Sequence, residues 1–203
     1  CAKQGCPTRW ASPRRVGVST CNSSAGTRSL NFALQAALNP PKPGKQERRF
    51  GELIFREGDR VMQTRNDYDV VWQKEDGTAG TGIFNGDVGK IAKIDPSGEL
   101  LEIVFDDRTA TYTSDMLAEL DMAYAMTVHK AQGSEYRGVV FVGAPCAPSL
   151  MVRGVLYTAI TRARELLVIV GDDSAVNKMA ENDRRSRRYS GLKWRLRKGG
   201  EEK

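Results

Sequence analysis

Residues Ala123 to Tyr136 read A-Y-A-M-T-V-H-K-A-Q-G-S-E-Y, and the rest of the chain is organised around them. Small and large side chains alternate up to the β-branched pair Thr127 and Val128, which predicts a short buried strand. From His129 the character changes. Polar groups able to meet a phosphate, a ribose or a base gather around Gly133, where the backbone can approach a ligand closely. A strand that stops in a polar, glycine-containing turn is where open α/β sheets place their ligands. Taken one at a time, each of these residues reads more simply as a strand end or a solvated loop; the combination points to a site.

Downstream, Val139 to Val142 and Leu166 to Val170 are continuous apolar runs, as expected of strands covered on both faces. Between them Ser149 is placed to cap a helix in which Val152, Val155, Leu156, Ala159, Ile160 and Ala163 follow helical spacing. On that helix Arg162 and Arg164 point roughly 200° apart, at about 100° per residue, and cannot both serve one phosphate. Arg162 then flanks the stripe on the Val155 and Ala159 side, and Arg164 the opposite edge with Arg153. Composition alone reads both as edge residues with solvated heads.

Upstream, Leu30, Phe32, Leu34, Ala37 and Leu38 give a second helical apolar pattern, with Thr27 as its expected N-cap and Asn39-Pro40-Pro41 as its stop. A Pro/Lys-rich linker, Lys42 to Arg49, follows. Between Phe50 and Leu120 the periodicity turns to two. Strands are expected at Arg60 to Gln63, Val88 to Ile94, Leu100 to Phe105 and Thr109 to Thr113, with turns at Asn85-Gly86 and Asp95-Pro96-Ser97-Gly98. Short strands joined by tight turns describe a small barrel. Asn66 and Asn85 read first as turn formers and, with Tyr68, as candidate nucleic-acid contacts.

The length of 203 residues accommodates one α/β domain and a small extra module. With 40% hydrophobic and 28% charged residues and no apolar run near twenty, the sequence predicts a soluble chain with no membrane span and no signal peptide; its first residue, Cys1, hints at a fragment. The net charge of +6 is unevenly spread: Arg184 to Lys203 carry nine Lys/Arg against two Glu, so the remainder is close to neutral. That basic tail reads as a solvated helix or disordered end, with Tyr189 and Trp194 leaving nucleic-acid contact open. Cys1, Cys6, Cys21 and Cys146 form no C-x-x-C pair, and His129 is the only histidine, so zinc is not expected and reduced thiols in a cytoplasmic protein are.

Thr127 to Tyr136 matches T-x-H-K-x-Q-G-x-E-[FY] and resembles a core motif of superfamily-one helicases; Leu156 to Glu165, L-Y-T-A-I-T-R-A-R-E, resembles their last motif, which carries an arginine finger. The stretch T-R-S-L-N-F-A-L-Q-A-A-L-N-P-P from Thr27, and G-D-R-V-M-Q-T-R-N-D-Y-D with G-I-F-N-G-D-V-G-K-I further on, are similar to the RecD-like branch, where an SH3-like barrel is inserted at this point. Ser12-Pro13-Arg14-Arg15 resembles that branch's opening motif, although more residues intervene before Ala25-Gly26-Thr27, which leaves open whether Arg14 or Arg15 reaches a nucleotide.

The resemblance implies a RecA-like parallel-sheet α/β motor domain with an inserted SH3-like β-barrel. Its parts are residues 1–55, a barrel over 56–120, the motif-bearing remainder over 121–183 and a basic tail over 184–203. It implies Arg162 as the finger; Gln132, Gly133 and Glu135 facing ATP, with Glu135 on the ribose; and Thr127, His129, Lys130, Asn66 and Asn85 on single-stranded DNA. No G-x-x-x-x-G-K-[ST] occurs in the sequence. ATP and Mg²⁺ are therefore expected mainly on an N-terminal RecA-like domain of the same protein, the chain by itself is expected to be inactive, and no metal site is expected in it. The function implied is the C-terminal domain of an ATP-dependent 5′-to-3′ DNA helicase in recombination and repair. A conjugative relaxase's helicase domain, or a non-enzymatic nucleic-acid-binding module, are the alternatives.

Overall fold

In a computed structural model the structure describes residues 26–184 and the backbone of residues 15–18. The chain runs β1 (Arg15–Val18), α1 (Thr27–Leu38), β2 (Glu47–Phe50), β3 (Leu53–Arg56), β4 (Arg60–Gln63), β5 (Asp67–Lys74), β6 (Ala79–Ile83), β7 (Val88–Ile94), β8 (Leu100–Phe105) and β9 (Arg108–Thr113). A 3-10 turn at Met116–Glu119 leads to β10 (Leu120–Met122), β11 (Ala125–Met126), β12 (Tyr136–Gly143), α2 (Arg153–Ile160), β13 (Ala163–Gly171) and α3 (Asp173–Glu181). Arg14, Cys1, Cys6, Cys21 and all of the basic tail beyond Arg184 lie outside the described residues.

Two sheets organise the molecule. A four-stranded sheet, in the order β11-β1-β12-β13, is parallel throughout. A seven-stranded antiparallel sheet has the order β10-β4-β7-β8-β9-β5-β6, and β2 and β3 form a separate hairpin. The expected α/β character is present; the pairing of the larger sheet leaves β10 and β6 as its two ends and does not itself close into a barrel. The two sheets meet at β4. Val61 packs in the apolar core of the antiparallel sheet and its neighbour Met62 in that of the parallel sheet, as alternation along a strand requires.

The short buried strand expected from Ala123 to Val128 is reduced to Ala125–Met126, and a separate strand precedes it. Leu120–Met122 pairs antiparallel with β4, whereas Ala125–Met126 pairs parallel with β1. The chain changes sheets at Ala123 and Tyr124, both buried.

α1 buries a polar stripe beside its apolar pattern, of which Leu34 packs against the core of the antiparallel sheet. Leu38 and Phe32 are exposed, at 68% and 39%, while Asn31, Gln35 and Asn39 are buried. These three lie at i, i+4 and i+8, one stripe of the helix. Asn31 Nδ2 donates to the carbonyls of Met122 and Ala125 at 3.1 and 3.0 Å, and its Oδ1 accepts from Ala125 N at 2.6 Å. Gln35 Nε2 and Asn39 Nδ2 each donate to the carboxylate of Asp59 at 2.6 Å. Tyr124 Oη and the backbone N–H of Arg56 also donate to it, both at 2.8 Å. Asp59 has no exposed surface, and its charge is compensated by these four donors. Burial, reinforced by the bond to Asp59, raises the Tyr124 phenol well above its ordinary pKa. The N-cap of α1 is Gly26 rather than Thr27, with no side-chain cap, and the helix stops at Leu38 as expected. The expected linker ends early, since Glu47 already opens β2.

Two other expectations fail. Ser149 caps nothing: α2 begins at Arg153 with Val152 at its N-cap and ends at Ile160. Arg162 therefore lies in the turn after the helix and Arg164 on β13, so no helical angle relates them. Second, β13 is the edge of the parallel sheet, not a strand covered on both faces; Leu166, Val168, Ile169 and Val170 are exposed. A bidentate pair from Arg137 to Glu165 ties β12 to it, and this bonding holds the Glu165 carboxyl below its ordinary pKa.

Candidate nucleic-acid interface and nucleotide loop

The site is the segment between β11 and β12, wound into successive turns. Ala131 N donates to Thr127 O at 3.1 Å, Gln132 N to His129 O at 3.2 Å and Ser134 N to Ala131 O at 3.3 Å. Thr127 Oγ1 accepts from Lys130 N at 3.3 Å, which fixes the start of the loop and leaves its hydroxyl proton to donate elsewhere. Val128 and Ala131 are buried beneath; His129, Lys130, Gln132 and Glu135 are exposed above. Gly133 sits at φ +85, and no atom lies within 4 Å of where a Cβ would be, so it is backbone conformation and not crowding that favours glycine there.

On one side the loop faces the antiparallel sheet across a cleft of about 490 Å³. His129, Lys130, Gln132 and Ser134 line it from the loop, and Asn85, Gly86 and Asp87 from the β6–β7 turn. That turn is closed by Asp87 N donating to Phe84 O at 2.9 Å, with Gly86 at φ +97 in its third position, the pattern of a type II turn. Asn66 serves it structurally: its Oδ1 accepts from Asn85 N at 3.0 Å. Asp87 holds the turn to β9 through Arg108 at 3.1 Å. Beside it Tyr68 and Phe84 make an edge-to-face pair at 5.6 Å, and both are exposed.

Thr127 lines a different cavity, toward α1, and Lys130 lines both. Lys130 Nζ pairs with Asp121 at 3.1 Å.

On the other side the loop meets the turn after α2. Arg162, half-buried, donates from one terminal nitrogen to Ser134 O at 3.0 Å and from Nε to Thr158 O at 3.2 Å. Tyr136 N donates to Arg162 O at 2.8 Å. Arg164 Nε donates to Glu135 at 2.5 Å, both side chains being substantially exposed. The structure thus brings Glu135, Arg162 and Arg164 together, and places Gln132 instead with His129 and Asn85. Sequence reasoning overlooked Arg164 as a partner of the loop because it set that residue on the helix. Among the described residues no group of three or more His, Cys, Asp or Glu is arranged to hold a metal ion, and no helix is long and apolar enough to cross a membrane.

Residues 30–105 match the family described as ATP-dependent RecD-like DNA helicase SH3 domain, and residues 122–170 match the UvrD-like helicase C-terminal domain. The chain belongs to the RecD-like helicases and corresponds to their C-terminal part. It is 36% identical over 162 residues to the ATP-dependent RecD2 DNA helicase of Deinococcus radiodurans, covering 80% of this chain and 20% of that protein. Against the RecBCD enzyme subunit RecD of Mycolicibacterium smegmatis it is 32% identical over 143 residues, covering 70% and 23%. The chain therefore spans about a fifth of the length of these relatives. In fold it is similar to Bacteroides Pif1 bound to ssDNA, with TM-score 0.51 and 17% identity over 92% of this chain and 46% of that one. Candida albicans Pif1 gives TM-score 0.51 at 14% identity, covering 99% and 52%.

Proposed function

We propose that this chain is the C-terminal motor domain of an ATP-dependent 5′-to-3′ DNA helicase, supplying an arginine finger and part of a single-strand track. One observation carries the reading: a single loop, Thr127 to Glu135, reaches the cleft shared with Asn85 on one side and Arg162 on the other. Its residues suit a nucleotide. Glu135 offers a half-exposed carboxylate for a ribose hydroxyl, Arg162 a planar guanidinium for phosphate oxygens, and Gly133 a backbone without a side chain in the way. Bound ATP would supply the phosphoryl transfer that powers movement, with Mg²⁺ held on the N-terminal RecA-like domain that also cradles the phosphates. Arg162 then neutralises charge at the transferring group, and leaving Ser134 O to do so frees the loop. Thr127, His129 and Lys130 hold phosphate and sugar of the strand, with Asn85 facing His129 and Lys130 across the cleft. Such contacts are indifferent to sequence.

In this reading residues 56–120 form the inserted SH3-like module, and the chain alone, lacking a P-loop, hydrolyses no ATP. The test is the double change Thr127→Ala, His129→Ala in the full-length protein. Single-strand affinity falls while nucleotide affinity stays nearly unchanged. Equal loss of both, with normal folding, would defeat the division of the loop into two faces.

A further inference from the structure

The cavity on the α1 side of the loop, about 440 Å³, belongs to none of the roles assigned above except through Thr127 and Lys130 at its edge. It is of ligand-binding size, and its lining is largely apolar. Leu53, Met62, Met122 and Met126 contribute apolar walls, and two aromatic rings, Phe32 of α1 and Phe50 of β2, line it while remaining 39% and 36% exposed. Phe50 is placed by its hairpin. It pairs directly with Leu53 across a two-residue turn whose first residue, Gly51, has φ +57, so both side chains lie on one face of the ribbon.

The charged groups around this cavity are paired, and its one amide is engaged. Arg28 pairs with Glu52 and Lys130 with Asp121, which leaves the rim without net charge. Asn31 spends its amide on the backbone of Met122 and Ala125. A neutral, aromatic cavity with its amide already spoken for does not select a phosphate and offers little to read a base edge. It suits an uncharged planar heterocycle recognised by its π-face.

We infer that this cavity takes one unstacked base of the single strand, between Phe32 and Phe50, while the phosphates on either side remain with Thr127, His129 and Lys130. The inference rests on the single-strand track proposed above. Stacking of this kind is tolerant of base identity, so the cavity adds grip without adding sequence preference.

The test uses the full-length protein and a dT oligonucleotide in which one base at a time is replaced by an abasic site. In the parent protein one position of the walk weakens binding by roughly five- to 150-fold, the worth of one stacked base. Phe32→Leu and Phe50→Leu, which keep apolar volume, lower affinity for the intact oligonucleotide by a comparable factor, lose the penalty at that position and keep the salt dependence. Phe32→Tyr and Phe50→Tyr retain both. If the leucine variants bind like the parent, or the abasic penalty survives in them, the cavity is not a base site. Failure of the track shows differently: Thr127→Ala, His129→Ala then leaves affinity and salt dependence unchanged, whatever the phenylalanines do.

Discussion

The guanidinium of Arg162 is bonded to the backbone carbonyl of Ser134 at 3.0 Å, so the residue proposed to act on the nucleotide holds, in this structure, the loop proposed to hold the strand. A finger acts chiefly on the transition state. Arg162→Ala in the full-length protein is expected to lower kcat by roughly 10³ to 10⁵ with little change in ATP affinity. Arg162→Lys keeps the charge but not the fork of donors and is expected to be strongly impaired as well. Steady-state ATPase with equilibrium nucleotide binding decides it; a variant that turns over normally would remove Arg162 from the chemistry.

Arg164 and Glu135 are expected to behave as one unit. Arg164 orients the carboxylate through a 2.5 Å bond, so Arg164→Ala and Glu135→Gln should each raise KM for ATP by a similar factor and leave kcat less affected. The double variant should be no worse than either single one, since both remove the same contact. Additive effects would mean that Glu135 does not depend on Arg164.

Asp59 is the most sensitive stability position outside the apolar cores. Asp59→Ala leaves the buried donors of Gln35, Asn39 and Tyr124 unanswered, and is expected to cost about 3 kcal/mol or more. Asp59→Asn keeps the shape but turns one acceptor into a donor facing other donors, so it should be nearly as damaging. Leu38→Ala, at the exposed end of the same helix, should stay within about 0.5 kcal/mol. Urea midpoints of the three variants test the ranking.

The buried phenols of Tyr112 and Tyr124 give the fold an alkaline limit. Burial raises both above the ordinary tyrosine pKa, that of Tyr124 further through its bond to Asp59. In the unfolded chain each ionises near pH ~10. Below that value the two states bind protons alike and stability is unaffected. Above it the unfolded state releases protons that the folded state keeps, and stability falls by up to about 2.7 kcal/mol per pH unit for the pair. Tyr112→Phe should roughly halve that slope in urea titrations above about pH 10.

Much of the antiparallel sheet is legible because two signals coincide there. Val88–Ile94 and Leu100–Phe105 alternate with period two and are separated by Asp95-Pro96-Ser97-Gly98, and both strands stand where expected. The inward face of α1 was not legible. Apolar periodicity assumes that the buried face is the greasy one, whereas Asn31, Gln35 and Asn39 are buried because fixed backbone groups and Asp59 complete their bonds. Nor was the end of α2: Thr161 to Glu165 has no helix breaker, and only pairing of Ala163 with Tyr136 draws the segment into a strand. The loop residues were readable as a set from their motif. Their division between two cavities was not, because it depends on where the β6–β7 turn and the β2–β3 hairpin are folded back against them.

The change of sheets at Ala123 and Tyr124 has a mechanical side. Met122 still belongs to the antiparallel sheet and Ala125 already to the parallel one, and Asn31 is bonded to both. Apolar surfaces can slide over each other at little cost; bonds to three backbone groups from one amide have a direction and a length. The joint is therefore keyed, and a rotation of one sheet against the other must break those bonds before it can begin. A push on the antiparallel module arrives at Thr127, one residue beyond β11, as displacement rather than being absorbed as slack.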